Sequence, residues 1–436
     1  MEQESGMHKR AASVRGCRAQ WIGVMLLAAL ALAGPARGEV WPRFRGPNGQ
    51  GISDAGTIPT KWSPQEYRWK IGLPGGGHSS PVVWDDRVFV TCADEKVTQG
   101  ILLCVQVSDG RTLWRKERDL DKVRMNALNH YASATPALDA DHVYVFWPGV
   151  EETTLAALTH DGREVWTAPL PGNRTQHGMG SSPVVVGENV IISREQDQKS
   201  GGTIASVCLA VDRKTGQIRW RYEHPKNANA SYSTPCVYRD GQGRDQILFT
   251  SNLHGIAALD PGSGRLLWQT PGVLPARVVS SPVVAGDIVL ATCGEGGRGI
   301  RLSAIGPPDG ATAEPKEVYG LQGNAVPYAP TSVVHGEHFF GFHDSGLVSC
   351  FRVATGEVLW SQKPAGRYFG SPVCVNGVLY GITTDGDVVV LRAGPQYELL
   401  AVHPLGEKSQ ATPAVAQGRL FLRTHSHLIC VGGEKE

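Results

Sequence analysis

The alternation of apolar and polar positions is clearest over residues 205–235. There an apolar run, Val207-Cys208-Leu209-Ala210-Val211, meets the turn Asp212-Arg213-Lys214-Thr215-Gly216 and a second extended run ends in Trp220. Two strands joined by a tight turn explain this, because Gly216 can take a positive φ where a β-carbon would clash. Soon afterwards Ser233-Thr234-Pro235-Cys236-Val237 opens the next unit, and this small-small-Pro-apolar signal is repeated at Pro81, Pro136, Pro183, Pro282, Pro330, Pro372 and Pro413, at intervals of 41 to 55 residues. Proline costs a sheet least at the first residue of a strand, so each signal marks the start of a first strand, A. One such unit cannot bury its own faces, so the copies must pack on one another.

Each copy has room for four strands, A to D. Gly-x-x-x-Trp closes five of them, at Trp114, Trp166, Trp220, Trp268 and Trp360, with Tyr319 and Leu400 in the corresponding places of the fifth and seventh copies. The last copy stops after Leu428-Ile429-Cys430-Val431, without a strand D, while an orphan strand around Trp69 precedes the first copy. Pairing the two removes two open sheet edges. The pattern therefore predicts an all-β fold over residues 66–433: an eight-bladed β-propeller of four-stranded antiparallel blades, closed by an N-terminal strand that completes the C-terminal blade. Blades are expected to start near 79, 134, 181, 233, 280, 329, 370 and 411. Trp69, Trp114, Trp166, Trp220, Trp268 and Trp360 are read as docking residues between blades. Open stacks and parallel β-helices need no such permutation.

Residues 1–38 read as a signal peptide: Lys9, Arg10, Arg15 and Arg18 precede an apolar core from Trp21 to Ala33, well short of the ~20 residues that span a bilayer. Cleavage after Ala33 or after Gly38 fits, an uncleaved anchor is the alternative, and no lipobox cysteine follows the core. Export to the periplasm or beyond is expected, with no transmembrane segment in the mature chain. Residues 39–65 form a Pro/Gly-rich arm without periodicity, and loss of Glu39–Thr60 alone is expected to matter less than a deletion that also takes the strand at Trp69. Lys and Arg number 42 against 41 Asp and Glu, a net charge of +1 that gives no global field for nucleic acid. The cysteines fall at repeat positions otherwise held by small apolar residues and form no C-x-x-C pair, so no metal site is expected. Cys92 and Cys104 could pair across one hairpin.

Topology assigns faces. A–B and C–D turns share one face and carry regular Gly/Asp turns. B–C loops and D–A crossovers share the other, where polar and aromatic residues gather near the axis. Ligand-binding candidates from the crossovers are His78, Tyr131, His177, Tyr232, Arg277, Tyr328, Arg367 and Tyr368, with Asp94, Glu195, His254, His343 and Asp344 among the B–C loop residues. Both signs of charge point to a protein or peptide partner, or to a small polar ligand. No catalytic signature occurs at readable spacing.

Ala210–Trp220 and Ala258–Trp268 resemble the A-x-D-x-x-x-G-x-x-x-W repeat of the pyrroloquinoline quinone (PQQ)-like propellers. That superfamily includes the quinoprotein alcohol and glucose dehydrogenases, the non-enzymatic BamB-type outer-membrane assembly propellers, and secreted PQQ-like repeat proteins of planctomycete-type bacteria, which the arm Trp41–Gly51 resembles most. The resemblance implies a monomeric, exported binding or assembly scaffold without a cofactor. The alternative it implies is a PQQ-dependent dehydrogenase of alcohols or sugars, with Glu195, Asn252 and Asp344 as donors to Ca²⁺. The chain departs from that alternative in having no adjacent Cys-Cys pair and no C-x-x-C-H haem site.

Overall fold

A computed structural model describes residues 40–433 apart from 57, 97, 124, 173–174, 198–204, 225–228 and 309–313. The expected signal peptide and its expected cleavage positions lie outside these residues. Eight antiparallel sheets follow one another along the chain as blades 1 to 8. Blades 1 to 7 span residues 82–119, 137–171, 184–224, 236–269, 283–322, 333–362 and 373–404. Blade 8 takes three strands from 414–432 and its outermost one from Trp69–Gly72, which pairs antiparallel with His427–Gly432. The predicted closure is therefore observed. Among the described residues, no helix is long and apolar enough to cross a membrane.

Neighbouring blades meet at the axis through their first strands. Strands B and C are covered on both sides by the adjacent blades, which is why Arg87–Asp94 and Ser206–Asp212 read as nearly continuous apolar runs. Only the outermost strands alternate, as Ile218–His224 does. The core is thus a series of layers between blades. In one of them Ile191, Cys208, Ala210 and Trp220 of blade 3 pack on Ile247, Phe249 and Leu259 of blade 4. All eight described cysteines are buried and free. Cys92 sits opposite Ile101 and Cys104 opposite Phe89, so the ladder register keeps Cys92 and Cys104 apart.

The Gly-x-x-x-Trp spacing has a geometric cause beyond the turn. The indole N–H of Trp220 donates to Pro261 O of the next blade at 3.0 Å, and a β-carbon on Gly264 would stand 2.4 Å from the Trp220 ring. Trp69, Trp114, Trp166 and Trp360 likewise donate to Val107, His160, Arg213 and Gly394 of the following blade, and Tyr319 donates to Val353. The turn glycine is therefore bare so that the preceding blade's aromatic ring can lie on it. Trp268 departs from this pattern. Its N–H donates to Gln246 of its own blade, although the ring still packs with Val289 and Ile305 of blade 5.

The Ser/Thr before each proline carries a second message. The backbone N–H of Ser80 donates to Thr135 Oγ1 (2.9 Å), Thr135 to Ser182 Oγ (3.0 Å), Ser182 to Thr234 Oγ1 (3.1 Å) and Thr234 to Ser281 Oγ (3.0 Å). Ser281, Thr331 and Ser371 continue the chain to Thr412, each link 2.9 Å long. Each of blades 2 to 8 thus hands one hydroxyl to its predecessor around the channel. This chain corrects the register of blade 6: Thr331 occupies the ring position and Ser332 the place of proline, so Pro330 stands two residues before the usual site. At the seam between blades 8 and 1 the fully buried Arg423 donates to Ser79 O (2.9 Å) and Thr91 O (2.8 Å).

The arm is not an appendage. Trp41 exchanges two backbone hydrogen bonds with Val83, and Pro42 O accepts from Leu138 N. Arg43 donates to Pro235 O (2.5 Å), Asn48 makes a two-bond pair with Val237, Gln50 accepts from Val284 N, and Arg45 donates to Ser332 O (2.6 Å). Finally Ile52–Ser53 adds a parallel fifth strand to blade 7. One segment thus ties the first strands of blades 1, 2, 4, 5, 6 and 7. All these contacts lie at or beyond the proline position, on the side of the A–B turns, so the arm closes that end of the channel.

Candidate functional site

With one end plugged, the channel becomes a blind well of about 560 Å³ that opens on the face of the B–C loops and crossovers. Its floor carries Phe44 of the arm, and its wall is the hydroxyl chain from Ser182 through Thr412. Backbone N–H groups already occupy those hydroxyls as acceptors, so the wall presents a fixed polar surface. Around the mouth stand His78, Asn129, His177, Tyr232, Arg277, Tyr328, Asp344, Arg367 and Phe369.

Six of the eight residues proposed from sequence therefore converge on one cavity: His78, His177, Tyr232, Arg277, Tyr328 and Arg367. The other two do not. Tyr131 gives its hydroxyl to the backbone of Val123 and pins the crossover after blade 1. Tyr368 is fully buried, its ring 4.9 Å from that of Phe342, and the next residue, Phe369, lines the well instead. Glu195 is turned into the structure, where it accepts from Ser231 N at 2.8 Å. His254 meets His224 edge-on, with ring centres 4.8 Å apart, and its Nδ1–H donates to Gln269 Oε1. Sequence reasoning missed Phe44, Phe369 and the hydroxyl wall. The recurring Ser/Thr at the proline signal was the available clue to the wall.

The charged groups of the well are held apart. Arg277 is fixed by Gln176 Oε1 (3.1 Å) and Asn229 Oδ1 (3.2 Å), and Arg367 donates to Asp344 O (2.8 Å) while its guanidinium lies 5.4 Å from the Phe369 ring centre. His177 is held below its ordinary pKa by burial and by the Arg277 charge. From His78 at the mouth, a cluster runs outward through His130 to His425, with successive ring centres 5.5 and 5.9 Å apart. Burial, with Arg423 and the neighbouring imidazoles adding to it, brings His78 down to about 3 and His130 to about 4. Glu95 approaches His130 Nε2 at 3.2 Å from the solvent side.

These shifts carry a pH dependence. A histidine kept neutral in the fold takes its proton first in the unfolded chain, so its stability contribution is full above pH ~6.5 and is lost as pH falls toward the folded values. Stability should therefore decline from pH 6.5 to 4, by up to ~1.4 kcal/mol per pH unit for each proton. His130→Gln should flatten that slope by one proton in denaturant titrations at stepped pH. An unchanged slope would show that this cluster does not govern the acid limb.

Comparison with known proteins places the molecule. A family model described as "Outer membrane protein assembly factor BamB" matches residues 60–205, 99–327, 201–394 and 304–430, nearly the whole described chain. An outer membrane protein assembly factor BamB of Burkholderia pseudomallei is 25% identical over 363 residues, covering 78% of this chain and 82% of that protein. Among solved structures, BamB from Moraxella catarrhalis superposes with a TM-score of 0.61 at 15% identity, over 84% of this chain and 98% of that one. Quinohemoprotein alcohol dehydrogenase from Comamonas testosteroni gives 0.62 at 14% identity, over 93% and 82%. At those identities the structural likeness speaks for the fold alone.

Proposed function

Since the chain belongs to the BamB family of PQQ-like propellers, we propose that it is an exported, non-enzymatic scaffold that docks a protein segment on its crossover face. The observation that carries the proposal is the blind well. It is polar along its wall, aromatic at floor and mouth, and held rigid by the ring of blades. Tyr232 and Tyr328 offer flat area at low entropic cost, and Arg277 and Arg367 can meet a carboxylate through paired N–H donors. The relatives' description as outer membrane protein assembly factors suggests that the segment comes from an outer-membrane protein or from the machinery that assembles it. A monomer suffices, because one ring completes the well.

The residues do not fit a calcium-bound quinone. Among the described residues no three His, Cys, Asp or Glu side chains are grouped to hold a metal ion. Of the donors offered from sequence, Asp344 lines the well, while Glu195 is engaged with Ser231 N in blade 3. We propose binding without turnover.

The test is a peptide array tiling periplasmic segments of outer-membrane proteins, followed by titration of the hits. Tyr232→Ala combined with Arg277→Ala should weaken binding at least tenfold with little change in melting temperature. Lys214→Ala with Arg265→Ala, on the opposite turns, should leave it unchanged. Loss of binding only in the second pair would refute the face assignment, and dye reduction on adding PQQ and Ca²⁺ would refute the non-enzymatic reading.

A further inference from the structure

One carboxylate is buried in the lining of the well without a counterpart. Asp344, in the B–C loop of blade 6, is 2% exposed, and neither of its oxygens has a hydrogen-bond partner in another residue. The nearest arginine does not serve it: Arg367 gives its Nε–H to the Asp344 backbone carbonyl. Burial pushes the Asp344 carboxyl above the ordinary range, with its own backbone N–H and then the Arg367 charge opposing. A buried carboxylate in this state is settled either by a proton or by an incoming cation.

The surroundings favour an organic cation over a metal ion. A metal ion at Asp344 would call for further charged donors, and among the described residues no three His, Cys, Asp or Glu side chains are grouped to supply them. An ammonium or guanidinium instead gains from aromatic faces, and Phe44, Tyr232, Tyr328 and Phe369 line the same cavity. A bare cation would be opposed by Arg277 and Arg367, which outnumber the single carboxylate on the wall. The guest must therefore carry an anionic group as well.

We propose that the well recognises a basic residue with its carboxylate free, the side-chain cation seated on Asp344 and the carboxylate toward Arg277 and Arg367. The guest is either the C-terminal residue of a peptide or the free amino acid. The inference rests on reading the well as a binding site, and it is independent of where the docked segment originates.

The probes are Gly-Gly-Lys, the same peptide acetylated at Nε, its C-terminal amide, and free lysine, titrated calorimetrically against the full chain. Gly-Gly-Lys should bind at least tenfold more tightly than either modified form. Asp344→Asn should abolish the preference over the acetylated form, and Arg277→Gln the preference over the amide. Tighter binding of the peptide than of lysine assigns the guest to a chain terminus, and equal binding assigns it to the free amino acid. Asp344→Asn should also raise the melting temperature at pH 7, since it removes a buried charge. That gain should vanish below pH ~4, where both folded and unfolded forms of the wild-type carboxyl are protonated. Equal binding of the acetylated probe, no binding of any probe, or a lower melting temperature for Asp344→Asn would each overturn the proposal. Partner segments binding in the array while every lysine probe fails would overturn this inference and leave the docking reading standing.

Discussion

A chain lacking residues 39–72 is expected to lose its single cooperative unfolding transition and to aggregate near neutral pH. The deletion removes the outermost strand of blade 8, and with it the pairing of Trp69–Gly72 against His427–Gly432. It also removes the Trp69 ring from Gly110 of blade 1, leaving two sheet edges and one inter-blade layer open. The structure adds that removing residues 39–56 alone should also be severe, contrary to what the arm's lack of periodicity suggests. That segment buries Trp41, Arg43 and Arg45 and joins the first strands of six blades. Trp41→Ala alone should cost ~3–5 kcal/mol, as large buried aromatics do. Denaturant unfolding followed by tryptophan fluorescence separates the cases: the 39–72 deletion should give a broadened, probe-dependent transition, and the 39–56 deletion a cooperative one at clearly lower denaturant. Wild-type midpoints for the arm deletion would show that the plug is ornamental to the ring.

The contrast between arm and blades explains what the sequence made legible. Blade number and closure could be read because each blade carries its own proline signal and its own Gly-x-x-x-Trp, and because the last copy visibly lacks a strand. The arm could not be read that way. Its bonds reach carbonyls 192 residues away at Pro235 and 287 away at Ser332, and a backbone carbonyl has no residue type to recognise. In blade 6 the proline signal itself is displaced: Pro330 stands two residues ahead of the usual site, while the hydroxyl chain runs through Thr331.

At the site, topology correctly brought crossover residues to one face, but it could not resolve neighbours on an extended segment. Successive side chains there point opposite ways, so Tyr368 and Phe369 exchange the roles that composition suggests. The importance of Asp344 was equally hidden. Its distinguishing property is a missing hydrogen bond, and that is a fact about neighbours in space.

The second large effect lies in the docking layer. Trp220→Ala should cost ~3–5 kcal/mol, because the ring is 8% exposed and fills the layer between blades 3 and 4. Gly264→Ala should be nearly as harmful for the complementary reason. Its backbone has φ +69° and its new β-carbon would meet the Trp220 ring at 2.4 Å, so left-handed strain of ~1 kcal/mol adds to overpacking of ~1–3 kcal/mol. Gly243→Ala isolates the first contribution, since φ is +78° there but nothing lies within 4 Å of the added carbon. It should cost only about 1 kcal/mol. The two docking changes must then be strongly non-additive. Once Trp220 is gone, the β-carbon at 264 has no ring to strike, so the double variant should be ~1–3 kcal/mol more stable than the sum of the singles implies. Equilibrium unfolding of the wild type and these four variants measures this directly. Additivity within ~0.5 kcal/mol, or a Gly243→Ala cost equal to that of Gly264→Ala, would mean that the repeat glycine is kept for its turn and not for the ring lying on it.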